Sequence, residues 1–219
     1  MTTKFTRTLT LAALCAVTLP LAVLGAGGSS APTSPSLPPS PAMTADDHYN
    51  KGLKHRDKAW EYEAKAEGLE GAKAKKLLEK AKREFEKAIR AQEEAIELDP
   101  RAYRAYSSLG YALRRVGRYD ESIVAYDRSL AIQPAYAEAI EYRGQAYLGL
   151  GRLQDAKSAY MQLFSSDRAK ADELLAAMRN WCDAQTEGGA EVEEFAAWVE
   201  ERAELAEQTA MLSGARPSW

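Results

Sequence analysis

The chain has 219 residues, of which 46% are hydrophobic, 9% aromatic and 28% charged. That is enough apolar content for a buried core, and it excludes a wholly disordered chain. Its 29 basic and 32 acidic residues leave a net charge of −3, which argues against a polycation built for nucleic acid. Two cysteines, Cys15 and Cys182, can supply neither a disulfide framework nor a four-thiolate zinc site.

Residues 1–26 have the three parts of a secretory signal. Lys4 and Arg7 form a positive start, Leu9 to Leu24 is an apolar run, and Val23-Leu24-Gly25-Ala26 offers small residues for cleavage. The run contains Pro20 and is short for a membrane span. Cys15 lies inside it behind Leu14 rather than just after it, which argues against lipidation. The expectation is an exported, periplasmic or secreted protein with no membrane span after cleavage; an uncleaved anchor is the alternative. Residues 27–45 follow as a linker, with five prolines from Pro32 to Pro41. Proline removes donors and favours extended polyproline geometry, so the segment reads as a solvated spacer. A proline-rich ligand for a recognition domain is the sharper reading.

The centre of the chain repeats itself every 34 residues. Pro100 and Pro134 are so spaced, as are Gly110 and Gly144, Gly117-Arg118 and Gly151-Arg152, and Ala125-Tyr126 and Ala159-Tyr160. The first glycine of each set lets two helices approach closely. The second ends the first helix, and the proline follows the second helix. Tyr126 and Tyr160 are expected to fill the space beside Gly110 and Gly144. These residues resemble the tetratricopeptide repeat, a 34-residue helix–turn–helix unit, over 101–134 and 135–168, with residues 83–100 as the second half of a preceding unit. The second full unit has Arg168 where the family has proline. The resemblance covers residues 46–168 and implies an all-α, right-handed α-solenoid of helical hairpins.

The first hairpin, residues 46–100, departs from the period. Gly52, its candidate close-packing glycine, lies 58 residues before Gly110, which is 24 more than one repeat. Helices from about Asp46 to Glu67 and from Ala72 to Leu98, with the turn at Gly68-Leu69-Glu70-Gly71, accommodate the excess as about twelve residues per arm. The tip would then stand roughly 18 Å beyond the stack at ~1.5 Å per residue. Its charges, among them Lys73, Lys75, Lys76, Glu67 and Glu70, fit either a solvated arm or a projecting contact arm. Residues 169–219 read as a C-terminal capping helix pair. Ala171, Leu174, Leu175, Met178, Trp181 and Cys182 share a face of its first helix. The second carries seven glutamates between residues 191 and 207 against Arg202 alone.

Chemistry is sparse. His48 and His55 are seven residues apart, which places them on one helix face but too far apart for a joint metal site, and they read as surface histidines. Cys182 lies on an apolar stripe and reads as a core thiol, or as a crosslink between two copies. No phosphate loop, serine elbow or metalloprotease helix occurs. The expectation is no enzyme, no cofactor, no metal and no nucleic acid. In the resembled family the first helices line a concave groove that binds peptides or proteins. By register that groove receives Arg104, Ser107, Tyr111, Arg114 and Arg115 from one unit, and Glu138, Glu141, Gln145 and Leu148 from the next. Tyrosine offers flat contact area and arginine forked donors; near a helix C-terminus, Arg114 and Arg115 would equally complement the dipole. Family members that grip a terminal carboxylate use lysine and asparagine where Ser107 and Tyr111 stand. The implied function is a scaffold or adaptor of the cell envelope with a protein or peptide partner. The alternative is a self-associating protein, a homo-oligomer joined through the long arm.

Overall fold

Thr44 starts the first helix. Its hydroxyl accepts from the Asp47 backbone N–H at 3.2 Å, and the Asp47 carboxylate accepts from the Thr44 N–H at 2.9 Å. This reciprocal box satisfies donors that the first helical turn leaves open. The computed structural model describes residues 42–185 and 189–214, with side chains through residue 209. The expected signal, nearly all of the expected linker and the last five residues lie outside the described residues. Among those described, every regular element is an α-helix: α1 (Ala45–Ala66), α2 (Gly71–Leu98), α3 (Tyr103–Arg115), α4 (Tyr119–Ile132), α5 (Ala137–Gly149), α6 (Leu153–Ser166), α7 (Arg168–Asp183) and α8 (Ala190–Gly214). None is long and apolar enough to cross a membrane.

The helices pair as consecutive hairpins that stack in chain order, α2 on α3, α4 on α5, α6 on α7, with α8 against α7. The first helices of successive hairpins, α1, α3, α5 and α7, also touch in order and build one face. Gly117 and Gly151 reverse the chain after α3 and α5 with φ of 84° and 69°, a left-handed conformation that L side chains rarely adopt. The Arg118 N–H then bonds the Leu113 carbonyl at 2.9 Å, and the Arg152 N–H bonds that of Tyr147 at 2.9 Å. The two turns are built alike down to their side chains, because Arg118 bridges to Glu121 and Arg152 to Asp155.

The first hairpin is the long one. α1 has 22 residues against 13 in α3, and α2 has 28 against 14 in α4. The expected equal division of the excess does not hold: nine residues lengthen α1 and fourteen lengthen α2. Left-handed Gly68 (φ 72°) stops α1 early, so α2 takes the larger share.

Two groups of buried side chains hold the stack. Phe85, Ala88 and Ile89 of α2 meet Ala59, Tyr111 and Leu113. Tyr126, Ile140, Tyr160, Leu163, Leu174, Met178, Phe195 and Val199 form the larger group under α4 to α8. Each of the Phe, Ile, Leu, Val and Met side chains among them contributes about 1.5–3 kcal/mol on burial. The Tyr126 ring occupies the space beside Gly110, where a Cβ would meet Cε1 at 2.7 Å, as the spacing predicts. At Gly144 the expectation fails. The neighbours there are Leu174 Cδ2 at 2.6 Å and Ala159 Cβ at 3.3 Å, because α7 packs directly on α5. Tyr160 is fully buried elsewhere, against Phe164 and Trp198. Without a proline at 168, no linker separates α6 from α7. Asp167 ends the one helix and caps the other, accepting from the Lys170 N–H at 3.1 Å.

Candidate functional site

The face built by α1, α3 and α5 carries a row of aromatic rings, of which Trp60 is exposed and Tyr49, Tyr103, Tyr136 and Tyr142 are half-buried. Trp60 of α1 meets Tyr111 of α3 edge-on at 5.8 Å, and its indole N–H donates to the Tyr111 hydroxyl at 2.7 Å. Tyr111 in turn meets Tyr142 of α5 at 5.0 Å, and Tyr103 meets Tyr136 at 5.0 Å. Aromatic pairs in edge-to-face arrangement gain beyond their buried area, so this row ties three hairpins together. Trp60 nevertheless remains 39% exposed. Beside it opens a pocket of about 200 Å³ walled by Tyr49, Arg56, Trp60, Tyr111, Tyr136 and Tyr142, with Ser107, Ser108 and Glu138 completing the lining. A second pocket of about 260 Å³ continues past Tyr49 to Tyr103, Arg101 and Arg104.

Arginines complete the surface. The Arg56 guanidinium lies 4.3 Å over the Trp60 ring and pairs with Asp57. Arg114 lies over Tyr111 and Tyr142 at 5.2 and 5.6 Å. Arg115 donates to the Tyr111 hydroxyl at 3.2 Å and pairs with Glu63 of α1. Both therefore brace helices against one another, in addition to lying near a helix end where their charge suits the dipole.

Of the residues expected to meet a partner, Ser107, Tyr111 and Glu138 line the first pocket and Arg104 the second. Arg114, Arg115, Glu141 and Gln145 line neither. Ser107, Tyr111, Glu141 and Leu148 are buried, and their neighbours in the chain carry the open surface. Glu141 is 1% exposed; Gln145 donates to its Oε1, and Oε2 has no partner among the described residues. Burial pushes its carboxyl up to about 7, against the pull of Lys170 and the Gln145 bond. Burial likewise lifts the Tyr136 phenol to about 12, with Glu138 adding to the effect.

Register over the two regular repeats does not reach Tyr49, Arg56 or Trp60, and it sets Tyr142 outside the positions assigned to the groove. Extending the register to Gly52 finds two of them: Tyr49 aligns with Ser107, and Arg56 with Arg114. Tyr142 aligns with Ser108. Trp60 has no counterpart, because it stands in the part of α1 that the other first helices lack.

The histidines are not free surface groups. His48 Nδ1 lies 2.7 Å from Glu94 and His55 Nδ1 lies 2.8 Å from Glu84, both joining α1 to α2. Cys182 is half-buried against the larger core, and burial, with Asp183 and Glu200 nearby, raises its thiol pKa. A thiol held protonated is a poor nucleophile. Among the described residues, no group of three or more His, Cys, Asp or Glu could hold a metal ion.

Solved structures that are similar in part include two tetratricopeptide domains. One is the first TPR of Spaghetti (RPAP3) bound to the HSP90 peptide SRMEEVD, with 17% identity, 59% of this chain and 94% of that chain covered, and a TM-score of 0.42. The other is the first TPR domain of the human RPAP3 protein, with 15% identity, 73% and 97% coverage, and a TM-score of 0.39. No curated protein matches the chain. Family models match at residues 110–151, described as TPR repeat, and at residues 137–170, described as Tetratricopeptide repeat. The stacked hairpins α3 to α6 with their glycine-closed turns thus carry tetratricopeptide repeats over residues 110–170.

Proposed function

We propose that this protein is a protein-interaction scaffold that binds an extended segment of a partner across the face of α1, α3 and α5. The observation that carries the reading is the aromatic pocket beside Trp60. A large ring left 39% exposed in a wall of tyrosines is costly surface unless something covers it. Tyrosine and tryptophan supply rigid contact area, and Glu138, Ser108 and the arginines supply hydrogen bonds to a backbone. No reacting group is arranged in the pocket with a base and a charge stabiliser, so the reading is recognition without catalysis. The sequence of residues 1–26 supports placing this scaffold outside the cytoplasm, in the cell envelope.

The experiment is selection of a random-sequence peptide library on the full chain. Selected peptides should bind Trp60→Ala and Glu138→Lys at least about tenfold more weakly, the loss of one well-placed contact. They should bind Lys73→Glu, remote from the face, as they bind the native chain. Peptides indifferent to Trp60 and Glu138 would overturn the reading.

A further inference from the structure

The first and last hairpins present surfaces of opposite charge that nothing among the described residues covers. From residue 67 to residue 80 nothing is buried, so the tip of the α1–α2 arm stands clear of the stack. Residues 72–83 carry Lys73, Lys75, Lys76, Lys80, Lys82 and Arg83 against Glu79 alone. In their midst Leu78 is 51% exposed. Lys75 and Lys82 lie three residues before it and four after it, on the same helix face. At the other end, α7 and α8 enclose a groove of about 310 Å³. Leu175, Ala176, Ala203 and Ala206 form its floor; Glu207 stands at its rim with Glu204 one turn away, beside Asp172, paired with Arg168, and Arg179, whose charge is taken up by Glu200. Among the described residues, none of Lys75, Lys82, Glu204 and Glu207 is in an ion pair within the chain.

We propose that the Leu78 tip of one copy seats in the α7–α8 groove of a second copy, Leu78 on the alanine and leucine floor and Lys75 and Lys82 against the acidic rim. The occupant is a second copy because the chain carries both halves of the match, a lysine-flanked leucine and a glutamate-rimmed apolar groove. A tip meeting a groove is a head-to-tail contact that leaves each pair with one free tip and one free groove, so copies add in a row. This surface is separate from the pocket beside Trp60, and the two readings stand or fall apart from each other.

Sedimentation of the full chain over a range of concentrations tests it. The native chain should gain mass with concentration. It should lose that gain as salt rises from about 0.05 M to about 0.5 M, where screening shortens the reach of the charges. A tip variant (Lys75→Gln, Leu78→Gln, Lys82→Gln) and a groove variant (Glu204→Lys, Glu207→Lys) alter only exposed residues and should each remain monomeric. Mixed in equal amounts, they retain one sound groove and one sound tip, and should form pairs that grow no further. A native chain monomeric at every concentration, variants that associate as the native chain does, or a mixture that stays monomeric would each overturn the proposal.

Discussion

Gly110 and Gly144 hold the same place in their repeats, yet they tolerate change differently. An alanine at 110 drives its Cβ against the fully buried Tyr126 ring, which is locked between helices. Gly110→Ala is expected to cost about 1–3 kcal/mol, as overpacking does, measured by urea unfolding. Gly144→Ala meets chiefly the two end methyls of Leu174, which can rotate, and should cost less. Glu141 supplies a second test at this scale. Its carboxyl holds a proton up to about 7 in the fold against an ordinary 4.5. The folded state therefore binds that proton more tightly than the unfolded chain. The resulting stabilisation is complete below about pH 4.5, declines as pH rises through 7, and is worth roughly 3 kcal/mol at most. Glu141→Gln should remove this contribution, so its stability relative to the native chain should rise from pH 5 to pH 8 in parallel unfolding curves.

The long hairpin is held by more than its apolar stripe. Glu84 is buried between α1 and α2 and is met by His55, Lys58 and Lys87 at 2.8, 3.3 and 2.8 Å. Burial raises its pKa, but the bonds from Lys87, His55 and Lys58 outweigh this and bring the carboxyl down to about 2. Its stabilisation is therefore present above about pH 4.5 and is lost as pH falls toward 2. Glu84→Gln should destabilise the protein by about 1–3 kcal/mol at neutral pH, because three donors lose their charged acceptor. The variant should also unfold less steeply in acid than the native chain, as circular dichroism against pH would show. The heptad separation of His48 and His55 places both on one face of α1 and is readable in the sequence. That Glu94 and Glu84 face them from α2 follows only from how the two helices lie against each other.

Across the whole molecule, the hairpins depend on their neighbours. Leu174 of α7 fills the space at Gly144 of α5, and Phe195 and Val199 of α8 complete the same core. A chain ending after Ser166 would expose Leu163, Tyr160 and Ile140 together. It is expected to melt at lower temperature and with less cooperativity than the full chain in calorimetry. The α7–α8 pair is thus integral to the core of the last repeat as well as covering its end.

Repeat spacing, glycines and prolines determined by themselves the helical hairpins, their turns and the total excess length of the first hairpin, though not its division between α1 and α2. Those features rest on backbone preferences and on a periodicity that any stack of such units must keep. The tertiary structure decided which side chains remain open. Register alone assigns Ser107, Tyr111 and Glu141 to the partner-facing side; packing leaves Ser107 and Tyr111 as buried walls of the pocket beside Trp60 and takes Glu141 out of it. The same packing leaves Trp60 exposed, because α1 runs past the end of the shorter α3. The reason is physical: local sequence sets where a helix begins, ends and turns its apolar stripe, whereas exposure depends on what neighbouring helices cover, and that is a property of the assembled stack.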